Sequence, residues 1–206
     1  MKRPWRKRAA ATDILAELAR DPRFVAEERE RDARLAAAEA ALDRQAQPIL
    51  HDLAEVGVTA ETVWNIEPHD AARPAVTEVL FRHLERTEYD DPIRDALARS
   101  IGTRRAAWAW NRLLVLYRAE QREMVKDGLA AALGQAATKD SLDALDAEIR
   151  ERKHGESRLL LLDGYRVIGT DESRSRLELL ADDPFFEVSA RALLRRKWPR
   201  KRPAPR

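Results

Sequence analysis

Three segments of this chain end in the same way, and their spacing restricts the fold more than any other feature. They cover residues 93–102, 125–134 and 160–169, and each closes on a glycine. The glycines lie 32 and 35 residues apart, and a shortened fourth copy runs over 184–194. An amphipathic helix is predicted before each copy, over 74–86, 104–121, 138–151 and 172–181. Helix pairs repeating every 30 to 40 residues predict a right-handed α-solenoid of about four pairs.

The composition favours the same all-α fold class. Hydrophobic residues make up 44% of the 206 residues, which is enough to form a core, while 36% are charged and only 7 are glycine. Alanine, leucine, arginine and glutamate dominate, and these residue types favour long amphipathic helices. The chain is expected to divide into a basic disordered tail (1–11), an N-terminal helical cap (12–66), a linker (67–73), the repeats (74–194) and a basic C-terminal tail (195–206).

The helical cap carries an apolar stripe with a seven-residue period, formed by Leu35, Leu42, Ile49 and Val56. Such a stripe packs against the chain's own solenoid or against a second copy, so we expect a monomer or a weak dimer. Pro48 lies within the stripe and lacks a backbone N–H. It is therefore predicted to kink or split the helix.

The net charge of +2 conceals an uneven distribution of charge. Residues 1–8 and 195–206 together hold twelve lysines and arginines and no acidic residue, which leaves a net charge of −10 on residues 9–194. The chain has no cysteine, which excludes disulfides and thiolate metal sites and fits a reducing, cytoplasmic setting. No signal peptide or membrane-spanning segment is predicted, because no window approaches the required apolar length.

The segment Asp91-Pro92-Ile93-Arg94-Asp95-Ala96-Leu97-Ala98-Arg99-Ser100-Ile101-Gly102 resembles the second helix of a HEAT repeat of the PBS-lyase type. The second copy has Lys126 in place of the arginine, and the third is shifted by one residue and lacks the basic position. The resemblance extends over about residues 70–196. It implies a binding scaffold whose partner, a protein or peptide, lies on a concave face formed by the second helices. The residues expected on that face are Arg94, Asp95, Asp127, Tyr165 and Arg166.

The sequence contains no recognisable catalytic motif. Glycine-rich phosphate loops and a nucleophile elbow are absent, and the four histidines lack zinc-site spacing. We therefore predict a non-enzymatic protein without catalytic residues, cofactor or metal site. Asp90-Asp91 and Asp182-Asp183 each precede proline and are predicted to begin helices. HEAT-like alkylpurine DNA glycosylases use tryptophan and aspartate, so Trp64, Trp108 and Trp110 make that activity a further, less favoured hypothesis.

Both basic ends contain one tryptophan beside a proline, which suggests a second function. Basic side chains attract phosphates and an indole stacks on a base, so an adaptor associated with nucleic acid is the alternative to protein binding. Solubilising tails are the simpler interpretation. The candidate residues are Lys2, Arg3, Trp5, Arg6, Lys7, Arg8, Arg195, Arg196, Lys197, Trp198, Arg200, Lys201 and Arg202.

Overall fold

The computed structural model describes residues 18–198, and these residues form helices and connections without a β-strand. The chain divides into two compact units, residues 1–44 and 45–206. The helices are α1 (Pro22–Glu55), α2 (Pro68–Ala71), α3 (Pro74–Leu84), α4 (Asp91–Ile101), α5 (Trp110–Ala119), α6 (Glu123–Ala136), α7 (Leu142–Arg150), α8 (Arg158–Leu161), α9 (Asp163–Ile168), α10 (Asp171–Leu180) and α11 (Glu187–Arg195). Short 3-10 helices cover Arg104–Ala109, Lys139–Ser141 and Arg152–Ser157.

Helix α1 begins and ends where local chemistry predicts. The Asp21 carboxylate accepts a hydrogen bond from the Arg23 backbone N–H at 2.9 Å, and Pro22 is the first helical residue. Gly57 lies just beyond the end with a φ of 77°, a left-handed conformation that glycine adopts without strain. Pro48 does not split the helix, which continues to Glu55. The short helix α2 lies within the segment that was expected to be a linker.

The apolar stripe of α1 is buried only in part. Ile49 is fully buried, as are its neighbours Ala46 and Leu53, and all three belong to the second unit. Leu35, in the first unit, is 56% exposed. No helix in residues 18–198 combines the length and the apolar character needed to cross a membrane.

Within the second unit, helices pack first as neighbours along the chain and then across copies. Helix α3 packs on α4, α5 on α6, α7 on α8, and α10 on α11. The second helices also contact one another, because α4 packs along α6 and α6 packs along α8 and α9. The core is therefore continuous through the first three copies.

A period of 32 residues organises this core. Every 32nd residue in two series is fully buried, and the series are Leu97, Leu129, Leu161 and Ile101, Leu133, Tyr165. The third copy is thus in register with the first two, rather than shifted by one residue as the sequence suggested. Tyr165 occupies a core position, and its hydroxyl donates to the Asp146 carboxylate. The prediction that Tyr165 faces a partner is wrong.

The basic position also recurs every 32 residues and has a structural role. Its three residues donate to carbonyls at the end of the preceding helix: Arg94 to Leu84, Lys126 to Glu120, and Arg158 to Ile149. These carbonyls have no partner within their own helix, so the basic side chains satisfy them. The third copy therefore keeps the basic position that it was expected to lack. Arg94 is only 4% exposed, and its predicted place on a partner-facing surface is wrong.

Glycine allows α4 and α6 to approach closely. A Cβ atom added to Gly128 would lie 2.4 Å from Asp95 Oδ1 and 3.0 Å from the Asp95 carbonyl oxygen. This contact confirms the expectation that small residues bring the second helices together. Gly134 lies inside α6 instead of ending it, and Gly169 ends α9 with a φ of 68°.

The two Asp-Asp-Pro sequences differ from the predicted caps. Asp90 precedes α4, but its carboxylate accepts from the Gln45 amide at 2.8 Å and does not cap the helix. Asp183 accepts from the Phe185 backbone N–H at 2.8 Å, within a turn that precedes α11. Asp183 therefore orders a turn, and Asp90 links α1 to the start of α4.

Candidate functional site: an arginine-rich groove

Three neighbouring cavities form one groove on the second unit. Their volumes are about 500, 320 and 350 Å³. Arg104 lines all three, which makes the groove continuous. The lining residues are Trp64, Ile66, Pro68, His69, Asp95, Ala96, Arg99, Ser100, Gly102, Thr103, Arg104, Arg105, Gln135, Asp163, Arg166 and Val167.

The groove follows equivalent positions of successive copies. Thr103, Gln135 and Val167 lie 32 residues apart, at or just beyond the C-terminal ends of α4, α6 and α9 in turn. Arg104 Nη2 donates to the Val167 carbonyl oxygen at 2.7 Å and so connects the first copy to the third. A ligand in the groove would therefore contact several copies at once.

One end of the groove is apolar. Trp64, Ile66 and Pro68 line the largest cavity, together with Ala96 of α4. Ile66 is buried, whereas Trp64 is 47% exposed. A partly exposed indole beside a cavity offers a large apolar surface for a side chain of a partner.

The rest of the groove carries an excess of positive charge. Arg99 Nε donates to both carboxylate oxygens of Asp95 at 2.9 Å, and Arg166 Nη1 lies 3.4 Å from Asp163 Oδ1. Arg104 and Arg105 bring the arginines to four, against two aspartates. The local charge of +2 contrasts with the net charge of −10 on residues 9–194.

The groove contains two of the five residues predicted to bind a partner. Asp95 and Arg166 line it, whereas Arg94 and Tyr165 are buried in the core. Asp127 lines a separate cavity of about 220 Å³ at the other end of α6, so the groove does not include it.

Sequence reasoning missed Arg99, Arg104, Gln135 and Asp163. A 32-residue register would have placed Gln135 beside Thr103 and Val167. No repeat signal indicates Arg104, because it lies in a 3-10 helix between copies.

Few of the basic tail residues lie in the described part of the chain. Arg195 ends α11, and Arg196 and Lys197 follow it; all three are exposed. Trp198 is half-buried, with the Arg174 guanidinium 5.8 Å from its ring centre. Outside the described residues lie Lys2, Arg3, Trp5, Arg6, Lys7, Arg8, Arg200, Lys201 and Arg202, together with the disordered segment expected over 1–11.

Two buried histidines each contact a carboxylate away from the groove. His83 Nε2 lies 3.0 Å from Asp52 Oδ2, and its Nδ1 lies 2.8 Å from the Tyr89 hydroxyl. His154 Nε2 lies 2.9 Å from Glu148 Oε2, and its buried Nδ1 has no hydrogen-bond partner within residues 18–198. Burial lowers the pKa of both imidazoles, although each carboxylate acts in the opposite direction.

We expect these histidines to make the protein less stable in mild acid. A pKa lowered by folding means that the unfolded chain binds more protons, so the free energy of unfolding rises with pH. Their contribution is complete above the unfolded pKa of about 6.5 and is lost as the pH falls towards the lower folded pKa. The slope is at most about 1.4 kcal/mol per pH unit for each histidine.

Urea unfolding at several pH values between neutral and mildly acidic measures this dependence. The variant His154→Gln is expected to show a smaller loss of stability in acid than the parent. His51→Gln is the matched control, because His51 is exposed. Equal pH dependence in the parent and in the His154 variant would contradict the assignment of His154.

No group of three or more histidine, aspartate or glutamate side chains within residues 18–198 is placed to hold a metal ion. Trp110 is buried, and its indole N–H donates to the Leu133 carbonyl oxygen, while Trp108 is 53% exposed. This confirms that one of the two is in the core and the other at an edge. Comparisons with protein-family models, with curated proteins and with solved structures find no match to this chain.

Proposed function

We propose that this chain is a non-enzymatic, HEAT-like α-solenoid that binds an extended segment of a partner protein in the groove. The carrying observation is the groove itself, which crosses equivalent positions of three copies. The 32-residue recurrence of buried and basic positions supports the solenoid, because stacked identical units share their contacts. The second helices then form the concave face that the family resemblance implies.

The groove's chemistry indicates what the partner segment contains. Trp64 and Ile66 suit an apolar anchor, and the four arginines suit acidic side chains nearby. An acidic segment would be repelled by most of the body and attracted only at the groove, so charge favours this site over others. The partner is therefore an extended, acidic segment with at least one large apolar residue.

Selection of peptides from a displayed random library on the full chain tests this proposal. We expect enriched peptides to be acidic and to contain a large apolar residue. In fluorescence anisotropy, Trp64→Ala and Arg104→Glu should each weaken their binding by about tenfold or more, which corresponds to about 1.4 kcal/mol. Trp108→Ala is the matched control, because Trp108 has similar exposure and does not line the groove.

Two results would count against the groove. One is a library without enriched peptides. The other is binding that Trp64→Ala and Arg104→Glu leave unchanged, since the peptides would then lie elsewhere.

Association with nucleic acid through the tails is the second candidate function. Arg195, Arg196 and Lys197 are exposed at the end of the last helix, where phosphates would reach them. Full-length protein with these three residues changed to glutamine should bind DNA more weakly and with a smaller salt dependence if the tail is used.

A further inference from the structure

Two arginines share the 320 Å³ cavity at one end of the groove. Arg104 and Arg166 line it together with Gln135, Asp163 and Val167. Asp163 is the single acidic residue in this lining. Two guanidinium groups facing one small cavity repel each other unless an anion lies between them.

The contacts around Arg166 leave part of its binding capacity unused. Its Nη1 lies 3.4 Å from Asp163 Oδ1, a long contact, while the other oxygen of Asp163 accepts from the Gln135 amide. The Arg166 Nε atom is buried and has no hydrogen-bond partner within the described residues. A buried N–H of this kind costs free energy until an acceptor reaches it.

Arg104 is held in place without losing its remaining donors. Its Nη2 donates to the Val167 carbonyl oxygen at 2.7 Å, which fixes the guanidinium beside the cavity. A guanidinium has five N–H donors, so most of them remain for a ligand. Because the planar fork is already oriented, less conformational entropy is lost when an anion binds.

The charge of the groove fits a single dianion. Four arginines and two aspartates give a local charge of +2. A phosphorylated side chain carries about −1.5 to −2 charges at neutral pH and three acceptor oxygens, whereas a carboxylate carries one charge. A nucleic-acid backbone carries many charges, and the net charge of −10 on residues 9–194 disfavours its approach.

We propose that the cavity between Arg104 and Arg166 binds the phosphate of a phosphorylated serine or threonine in the partner segment. This inference rests on the proposed function and adds the chemical class that the groove selects. One phosphate oxygen accepts from Arg166 Nε, and others accept from Arg104 and the Gln135 amide. Phosphorylation of the partner would then switch binding on.

The test uses NMR titration of the ¹⁵N-labelled full chain with four probes. The probes are a phosphoserine amino-acid amide capped at both ends, its serine and glutamate analogues, and a short single-stranded oligonucleotide. The Arg166 Nε–H resonance reports directly on the buried donor. We expect phosphoserine to shift this resonance and to bind about tenfold or more tightly than glutamate.

Variants separate the cavity from general attraction of anions. Arg166→Gln and Arg104→Gln should each remove phosphoserine binding, and Arg166→Lys should recover only part of it, because lysine lacks the fork. Arg104 is exposed, so its variant keeps the test valid if the Arg166 variant does not fold. Arg191→Gln is the control, since Arg191 is exposed on α11 and does not line the groove.

Each other outcome overturns the inference in a different way. Equal affinity for glutamate and phosphoserine would reject a dianion site and leave the peptide groove intact. Tighter binding of the oligonucleotide through Arg104 and Arg166 would assign the site to nucleic acid. If no probe binds while library peptides still bind beside Trp64, the phosphate site is wrong and the groove remains.

Discussion

Replacing Arg94 with methionine is expected to lower the free energy of unfolding by about 3–5 kcal/mol, the cost of removing one partner from a buried ion pair. Arg94 Nη1 lies 2.6 Å from Glu120 Oε2, and both side chains are largely buried. Glu120 also accepts from the backbone N–H groups of Gln121 and Arg122. The substitution would leave a buried carboxylate without its counter-ion and the Leu84 carbonyl without its donor.

Urea unfolding of paired variants measures this effect. Because a matched apolar pair leaves no uncompensated charge, Arg94→Met combined with Glu120→Met should cost less than the sum of the two single changes. Arg191→Met is the control; its ion pair with Glu187 is solvent-exposed, and we expect a loss of at most about 1 kcal/mol. An Arg94→Met variant as stable as the Arg191 control would show that the pair does not hold α4 in place.

The sequence predicted the helices well because their signals are local. Asp21-Pro22 begins α1, Gly57 follows its end, and the apolar periodicity locates each helix pair. These features depend on neighbours within one or two turns. The prediction was wrong where a local rule met a tertiary contact, as at Asp90, whose carboxylate binds the distant Gln45.

Arg94 and Tyr165 show why the candidate surface was harder to predict. Arginine and tyrosine both have a polar group on a large apolar body, so their sequence position does not decide whether they are buried. The partners that bury them lie far along the chain: Arg94 reaches Glu120, and Tyr165 reaches Asp146. A polar residue type therefore indicated a surface where the fold uses it inside.

The groove depends on the register between copies, which the terminal glycines concealed. Gly102 and Gly134 are 32 residues apart, but the third copy has Arg166 at that position and its glycine three residues later. Counting from glycines therefore shifted the third copy. The contact of Arg104 with Val167 spans 63 residues and follows only from the correct register.

Replacing Gly128 with alanine is expected to lower the free energy of unfolding by about 2 kcal/mol, the range for inserting a methyl group into a packed core. The new Cβ would lie 3.1 Å from the Asp95 Cα and closer still to two Asp95 oxygens. Because two of these three atoms belong to the backbone of α4, the helices must separate. The gain in helix propensity, about 1 kcal/mol for glycine to alanine, only partly offsets this cost.

Gly134→Ala provides a control within the same helix. There the nearest atom, the Leu160 carbonyl oxygen, lies 3.2 Å from the new Cβ, so smaller movements suffice and we expect a smaller loss. Thermal and urea unfolding of both variants should therefore rank Gly128→Ala as the less stable. Separation of α4 from α6 would also move Asp95 and, through it, Arg99 in the groove. Weaker peptide binding by Gly128→Ala, without the same change in Gly134→Ala, would show that helix spacing sets the groove; a Gly128→Ala variant as stable as the parent would mean that α4 and α6 do not approach this closely.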